Sequence, residues 1–229
     1  MMQKPSRCAL RSTAATIAAA ALLTGISSAP ARAEIEVNLF TGYQTAPHSR
    51  VKGTSPTNGD FNALIGWEGK SFDMPPYYGV RATWWRDDNW GVGLEFTHDK
   101  VYADEDDMAA AGFSHLEFTD GLNIITVNAS RRWQNQWGNI TPYVSGGIGI
   151  SIPHVEVTPT GGQKTFEYQY GGPAMRLTAG ASYPISDQWS LFGEYQFTAS
   201  RNETDLSGGG NLDTRIFTNA LNVGVGFRF

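Results

Sequence analysis

The chain has 229 residues, a formal net charge of −5 and a single cysteine, and only 17% of its residues are charged. The acidic balance argues against a nucleic-acid partner, because binding to a phosphate backbone relies on an excess of lysine and arginine. One cysteine excludes an internal disulfide and a cysteine-based metal cluster, and the length is that of one domain.

The first 33 residues predict a secretory signal peptide. A basic start precedes an apolar run at 17–26, and Ala31-Arg32-Ala33 forms an A-x-A cleavage site. The run is too short for a membrane-spanning helix, and no later window holds about 18 uninterrupted apolar residues. Cleavage would remove Cys8 and four of the 17 basic residues, leaving 13 against 22 acidic residues in a mature domain at 34–229.

Eight segments of the mature region alternate between apolar residues and polar or small residues. This two-residue period is typical of β-strands with two unlike faces. The segments are 34–45, 77–85, 90–98, 121–133, 139–152, 174–183, 189–200 and 217–229. In the last one, Leu221, Val223 and Val225 share one phase, whereas Asn222 and Gly224 share the other. A final strand of this kind, ending on an aromatic residue, resembles the closing strand of bacterial outer-membrane β-barrels.

The connections between these segments alternate in length. Those at 46–76, 99–120, 153–173 and 201–216 are long and polar, and those at 86–89, 134–138 and 184–188 are tight turns. This layout and an even strand count are typical of outer-membrane barrels, and lipid tolerates no open sheet edge. We therefore predict an all-β fold: an eight-stranded antiparallel transmembrane up-and-down β-barrel with long extracellular loops and short periplasmic turns, in the outer membrane of a Gram-negative bacterium.

One further strand is predicted inside the first long connection. Residues 61–68 have strand character, and we expect them to pair above the membrane with residues just before Tyr77. A ninth membrane-spanning strand would place the chain ends on opposite sides of the membrane, so this segment is not counted among the spanning strands.

The two faces of the strands differ in a way that predicts their environment. Six tryptophans flank the short turns and predict a periplasmic aromatic girdle: Trp84, Trp85, Trp90, Trp133, Trp137 and Trp189. The inward phase carries charges that we expect to pair inside a narrow barrel: Glu36, Arg81, Glu95, Arg132, Arg176, Glu194 and Arg228. A water-soluble, lipocalin-like barrel would reverse the faces. The tryptophans, the export signal and Phe229 favour the membrane barrel.

All four histidines fall on the predicted extracellular side. They are His48, His98, His115 and His154. If the strand phases continue upward, His98 and His154 point outward at the outer rim, and Glu117 and Glu156 share that phase. Such groups could bind a divalent metal or transfer protons at the headgroup of an outer-leaflet lipid. The alternative is that polar residues populate extracellular loops without forming a site, and a β-bulge would turn any of them inward.

Several long stretches of the mature chain carry a family resemblance. They are GYQTAPHSRV from Gly42, NALIGWEGKSF from Asn62, PPYYGVRATWW from Pro75, LEFTHDKVYA from Leu94 and LEFTDGLNIITVNA from Leu116. These stretches resemble the rhizobial lipid A oxidases. The resemblance implies an outer-membrane enzyme that oxidises the proximal glucosamine of lipid A to 2-aminogluconate with molecular oxygen and releases hydrogen peroxide.

No catalytic motif of that family can be transferred residue by residue, so the candidate site follows from position. The expected catalytic residues are His98, His154 and Glu117, and the expected metal ligands are His48, His98, His115, His154 and Glu156. The chain has no nucleotide or flavin fingerprint, so the expected cofactor for a reaction with oxygen is a divalent metal bound at the rim. The expected partner is lipid A or lipopolysaccharide in the outer leaflet, with the barrel acting as a monomer.

Two alternatives from other functional classes stay open. A non-catalytic small barrel, similar to opacity or adhesion proteins, would act through its extracellular loops and would not need the histidines. An enzyme that modifies the acyl chains of lipid A would change their number rather than the oxidation state of the sugar. A serine esterase needs a serine beside a histidine and an acid, and His48-Ser49 is an adjacent pair of this kind.

Overall fold

The computed structural model describes residues 34–134 and 136–229, which form ten β-strands and one short helix. The elements are β1 (Glu34–Ser55), β2 (Gly59–Glu68), β3 (Tyr78–Trp85), β4 (Trp90–Ala103), α1 (Glu105–Ala110), β5 (Phe113–Arg132), β6 (Thr141–Pro159), β7 (Thr165–Tyr168), β8 (Gly172–Pro184), β9 (Trp189–Asp205) and β10 (Asn211–Arg228). The predicted signal peptide lies outside the described residues. Within the described ranges, no helix is long and apolar enough to cross a bilayer.

All pairings between the strands are antiparallel, which confirms the predicted all-β antiparallel fold. The hydrogen-bonded order runs β1, β3, β4, β5, β6, β8, β9, β10 and then returns to β1. The last strand therefore pairs with the first, with Leu39 opposite Val225 and Thr41 opposite Val223. This closure leaves neither terminal strand with an open edge over the paired length.

The three short turns occur where the sequence predicts them, but the long connections differ from the prediction. β1 continues to Ser55, β5 begins at Phe113 and β9 continues to Asp205, so much of the chain predicted as polar loop is sheet. Register irregularities interrupt the alternation in β1, β4 and β5. In β9, residues 201–205 are all polar, so the strand extension has no apolar phase. A register irregularity breaks the two-residue period on which the prediction depends.

The additional strand predicted at 61–68 is confirmed as β2, but its predicted partner is wrong. β2 pairs with the upper part of β1, where Val51 lies opposite Ala63, and with β4, where Trp67 lies opposite Ala103. The partner of β2 is the extension of β1, because a three-residue tip at 56–58 connects the end of β1 directly to β2. β7 was not predicted, and it pairs with β6.

In the lower half of the sheet, nearest the short turns, the apolar phase faces outward. Ile148 and Val223 are 76% and 65% exposed, and Leu191 is also exposed. Polar and charged side chains fill the inside, where Glu95 and Arg176 are each 1% exposed. A lipocalin-like barrel with an apolar interior is therefore the wrong interpretation of this half.

The inward charges pair with one another, as the sequence predicts. Arg81 Nε lies 3.0 Å from Glu95 Oε2, and Arg81 Nη2 lies 2.7 Å from Glu194 Oε1. Arg176 Nη1 lies 3.5 Å from Glu95 Oε1, which also accepts a hydrogen bond from Gln196. Two guanidinium groups thus face two carboxylates, and buried charges are tolerated when paired and hydrogen-bonded in this way.

The tryptophans separate into two groups. Five are exposed near the short turns, as predicted: Trp84, Trp90, Trp133, Trp137 and Trp189. The prediction for Trp85 is wrong, because its side chain is buried and its Nε1 donates a hydrogen bond to Glu36 Oε2 at 2.8 Å. Arg132 lies over its ring at 4.4 Å. Adjacent residues of a strand point to opposite faces, so Trp84 and Trp85 cannot both face outward.

The upper half of the sheet has the opposite arrangement, with an apolar interior. Its buried cluster includes Ile65, Trp67, Val101, Phe118, Val155 and Leu212. The sequence predicts long extracellular loops in this region and a polar interior for the eight spanning strands, so the apolar cluster was not predicted. Because apolar side chains occupy the inside here, the outward phase is left to polar residues, and the candidate site lies on that polar outer surface.

Candidate functional site

Three predicted site residues meet on the outer face of the β5–β6 pair. His115 Nε2 lies 3.2 Å from Glu117 Oε1 and 3.4 Å from Glu156 Oε1. One ligand atom from each residue lies within 4.8 Å of the others, so one cation could contact all three. Imidazole is a common ligand of iron and zinc, and carboxylates are common ligands of manganese and magnesium, so the donor set is compatible with a divalent metal.

The local sequence explains why these three side chains converge. Glu117 lies directly opposite Glu156 in the β5–β6 register, and His115 is two residues from Glu117 on the same face. The alternate residues Leu116 and Val157 are buried in the upper apolar cluster. The ligands are therefore fixed on a packed sheet rather than on a loop, which holds their spacing.

Lys164 adds a positive charge to this group. Its Nζ lies 2.5 Å from Glu156 Oε1 and 4.6 Å from the ring centre of Phe166. Glu156 thus lies between an ammonium group and an imidazole. A metal ion bound here would compete with Lys164 for that carboxylate.

Tyr102 of β4 lies beside the group, opposite Glu117 in the β4–β5 register. The amino groups of Lys70 and Lys100 lie 4.7 Å and 5.2 Å from the centre of its ring. Burial raises the pKa of Tyr102 to about 12, with further contributions from the nearby carboxylates of Glu117 and Asp73. The phenol therefore stays protonated near neutral pH and can donate a hydrogen bond.

His154 lies two residues below Glu156 on the outward phase of β6, but it is not at an open rim as predicted. The rings of Phe166 and Tyr168 on β7 cover it, at 4.5 Å and 4.6 Å between ring centres, and only 4% of it is exposed. Its Nδ1 lies 3.8 Å from Asp120 Oδ2 and has no hydrogen-bond partner among the described residues. The covering strand β7 is the reason for the difference.

His98 is also covered rather than open at the rim. Its ring stacks on Tyr78 at 5.3 Å, and its Nδ1 lies 3.1 Å from Asn123 Oδ1. Gly121 packs against it with a φ of +113°, and a Cβ at that position would lie 2.4 Å from His98 Nδ1. Glycine is therefore required there both for its backbone conformation and for space.

The structure brings together three of the six predicted site residues and separates the others. His48 lies on the outer side of β1, beside Gly66 and near Asp107 of α1. Neither it nor His98 nor His154 belongs to the group formed by His115, Glu117 and Glu156. The catalytic roles assigned to His98, His154 and Glu117 stay predictions.

Sequence reasoning missed Lys164, Tyr102 and Asp120. Lys164 reaches Glu156 only because the chain folds back into β7, a strand of four residues that is too short to show a clear period. Asp120 approaches His154 at the register irregularity between Glu117 and Leu122. Tyr102 is the exception, because continuing the outward phase of β4 from Phe96 and His98 reaches it.

Comparison with known proteins gives a family and several similar folds. Residues 17–229 match the family described as outer membrane protein beta-barrel domain. No curated protein matches the chain. Neisserial surface protein A is 14% identical, covering 86% of this chain and 97% of its own, with a TM-score of 0.47. The N-terminal β-barrel domain of Pseudomonas aeruginosa OprF is 14% identical, covering 87% and 99%, with a TM-score of 0.42. A major outer membrane protein from Thermus thermophilus is 14% identical, covering 86% and 99%, with a TM-score of 0.46.

Proposed function

Because the chain belongs to the outer membrane protein beta-barrel family and is located in the outer membrane of a Gram-negative bacterium, we propose that it is an eight-stranded transmembrane barrel that oxidises lipid A on its outer face. The ring of eight paired strands supports the barrel, and its closure within one chain supports a monomer. The part of β9 from Trp189 to Ala199 has the length of about 9–11 residues that crosses a bilayer. The strand extensions and α1 then lie outside the cell.

The proposed reaction converts the proximal glucosamine of lipid A to 2-aminogluconate. Carbon C1 of the sugar gives up two electrons, dioxygen takes them with two protons to form hydrogen peroxide, and the oxygen of a water molecule enters the new carboxylate. The sequence resemblance suggests the reaction, and the group of His115, Glu117 and Glu156 is the observation that carries its location. The group faces outward above the exposed apolar surface, which supports a contact with the sugar of an outer-leaflet lipid.

The donor set and its neighbours fit this chemistry. A redox-active divalent ion bound by His115, Glu117 and Glu156 would supply the electron transfer to oxygen. Glu117 can accept the proton of the C1 hydroxyl, and Tyr102 can donate a hydrogen bond to the sugar because its phenol stays protonated. His154 is covered by the rings of Phe166 and Tyr168, so it does not bind the ion in this proposal.

The proposal is tested with the full barrel purified in detergent and supplied with Fe²⁺. It is incubated with 1-dephosphorylated lipid A under air and under nitrogen, and the molecular mass of the lipid is measured by mass spectrometry. We expect an oxygen-dependent gain of one oxygen atom with an equal amount of hydrogen peroxide. Glu117→Gln should abolish the gain, and His48→Gln should retain it because His48 lies outside the group. No gain under air would refute the proposal.

The ion pair between Lys164 and Glu156 favours a second candidate function. It already balances one carboxylate of the group, so the three side chains could hold the sheet together without a metal. The chain would then be a non-catalytic barrel that acts through its extracellular tips. On this alternative, Glu117→Gln would leave every phenotype intact, whereas shortening the tips at 56–58 and 206–210 would not.

A further inference from the structure

A second feature of the outer surface is an apolar groove across β6, β8, β9 and β10. Its walls include Ile148, Ile150, Met175 and Phe217, and its upper end is formed by Arg201 and Arg215. The register explains the groove, because Met175, Ala199 and Phe217 lie in one row across three strands. The small Ala199 between two large side chains leaves a trough on the face that is exposed to lipid.

The two arginines at the upper end lie directly opposite each other on β9 and β10. Like charges in this position repel, which is unfavourable unless an anion lies between them. Arg201 Nη2 lies 3.1 Å from both Glu203 Oε2 and Asp213 Oδ2. Arg215 is exposed and forms no ion pair within the described part of the chain. Lys52 Nζ lies 3.5 Å from the same Asp213 Oδ2, so three cationic side chains share two carboxylates at this end of the groove, and one positive charge is uncompensated.

The height of this pair matches that of lipid headgroups. Arg201 is two residues above Ala199, at the end of the stretch of β9 that begins with Trp189 and is long enough to cross the hydrocarbon. Directly below the pair, Phe197 and Phe217 stack at 6.3 Å between ring centres. Outer-membrane barrels have girdles of aromatic residues at both interfaces, which supports a position of the guanidinium groups among the headgroups.

We propose that this groove holds a phosphate-bearing glycolipid of the outer leaflet, with an acyl chain between Met175 and Phe217 and a phosphate between Arg201 and Arg215. A guanidinium group binds phosphate through two parallel hydrogen bonds, and the second arginine adds charge. The site lies on β8, β9 and β10, apart from the three ligands on β5 and β6. It does not depend on the proposed oxidation.

The test measures lipid retention by native mass spectrometry of the full barrel released from detergent. The probes are lipid A with its phosphates and the same lipid A after both phosphates have been removed. We expect the wild type to retain the phosphorylated form about tenfold more than the other, and Arg215→Gln to lose that preference. Ala199→Phe should fill the trough and reduce retention of both forms.

Arg50→Gln is the matched control, because Arg50 is an exposed arginine on the same side of the membrane and lies on β1. It should retain lipid as the wild type does. Heat-dependent mobility on SDS gels verifies that each variant is folded. Equal retention of the two lipids, absence of retention, or an unchanged preference in Arg215→Gln would overturn the proposal. The assay measures no oxidation, so its outcome is independent of the catalytic test.

Discussion

Glu95 joins the two arginines of the polar interior. Its side chain is fully buried, with Arg81 on one side and Arg176 on the other. Removing its charge would leave Arg176 without a carboxylate partner and Arg81 with Glu194 alone, among side chains that are almost fully buried. Breaking a buried ion pair from one side costs about 3–5 kcal/mol, far more than loss of an exposed pair.

We therefore expect Glu95→Gln to lower the free energy of unfolding by about 3–5 kcal/mol. Urea unfolding of the barrel in lipid vesicles measures this change. Glu203→Gln serves as the control, because the pair between Glu203 and Arg201 is exposed, and it should cost less than about 1 kcal/mol. Equal effects of the two substitutions would show that the interior is hydrated rather than sealed.

A separate prediction concerns metal affinity at the candidate site. Glu117→Gln removes one anionic ligand and should weaken Mn²⁺ binding at least about tenfold, measured by isothermal titration calorimetry of the purified barrel. His48→Gln removes an imidazole outside the group and should leave the affinity unchanged. If both variants bind Mn²⁺ as the wild type does, the ion is held elsewhere or not at all.

At this scale the sequence predicts which face a residue occupies better than it predicts what covers that residue. The outward placement of Glu117 and Glu156 is predicted correctly because the register shifts there by two residues, from Leu122 opposite Pro153 to Glu117 opposite Glu156. A two-residue shift preserves the face. The burial of His154 was not predictable, since it depends on the rings of Phe166 and Tyr168, which lie on the unpredicted strand β7.

The single strand β6 passes through two environments, one apolar and one polar. Ile148 and Thr158 occupy the same outward phase of this strand, ten residues apart. Ile148 is exposed on the apolar band, whereas Thr158 follows Glu156 into the polar upper half. The strand therefore crosses from lipid to water without changing its phase.

This difference predicts unequal costs for the same substitution. Ile148→Arg should lower the free energy of unfolding in vesicles by about 2–4 kcal/mol, because a charge would then face hydrocarbon. Thr158→Arg should change it by no more than about 0.5 kcal/mol, as expected at a surface exposed to water. Similar values for both would mean that Ile148 does not face lipid.

β1 shows why the upper part of the fold was harder to predict. Between Thr45 and Val51 its register against β10 shifts by one residue, from Thr45 opposite Asn219 to Val51 opposite Thr214. A one-residue shift exchanges the two faces, so Val51 points inward although Thr45 points outward. A two-residue period carried upward from Leu39 therefore gives the wrong face. This break lies at the start of the predicted loop at 46–76.

The whole molecule combines two interiors. The half near the short turns is polar inside and apolar outside, and the other half is apolar inside and polar outside. Composition and alternation were sufficient to predict the first half, because a strand that crosses lipid carries apolar residues on its outward face and polar residues on its inward face. The second half follows the rule of water-soluble sheets, in which the inward residues are apolar, so the same two-residue period has the opposite polarity there.

The arrangement of the molecule across the membrane is tested by labelling with a membrane-impermeant maleimide. Cys8 is the only cysteine and lies in the predicted signal peptide, so a new thiol at an exposed position is the only one in the domain. Asp60→Cys at the start of β2 should be labelled on intact cells. Asp187→Cys in the β8–β9 turn should be labelled only after the outer membrane is opened. The reverse pattern would place the candidate site in the periplasm.

The most direct measurement is the mass spectrum of lipid A from cells that lack the protein and from cells that carry it again. We expect the form with an oxidised proximal sugar to be absent without the protein, to return with the wild type, and to stay absent with Glu117→Gln. Lipid A that keeps the oxidised sugar in cells lacking the protein, or that changes only in its number of acyl chains, would contradict the proposed oxidation at the outer face.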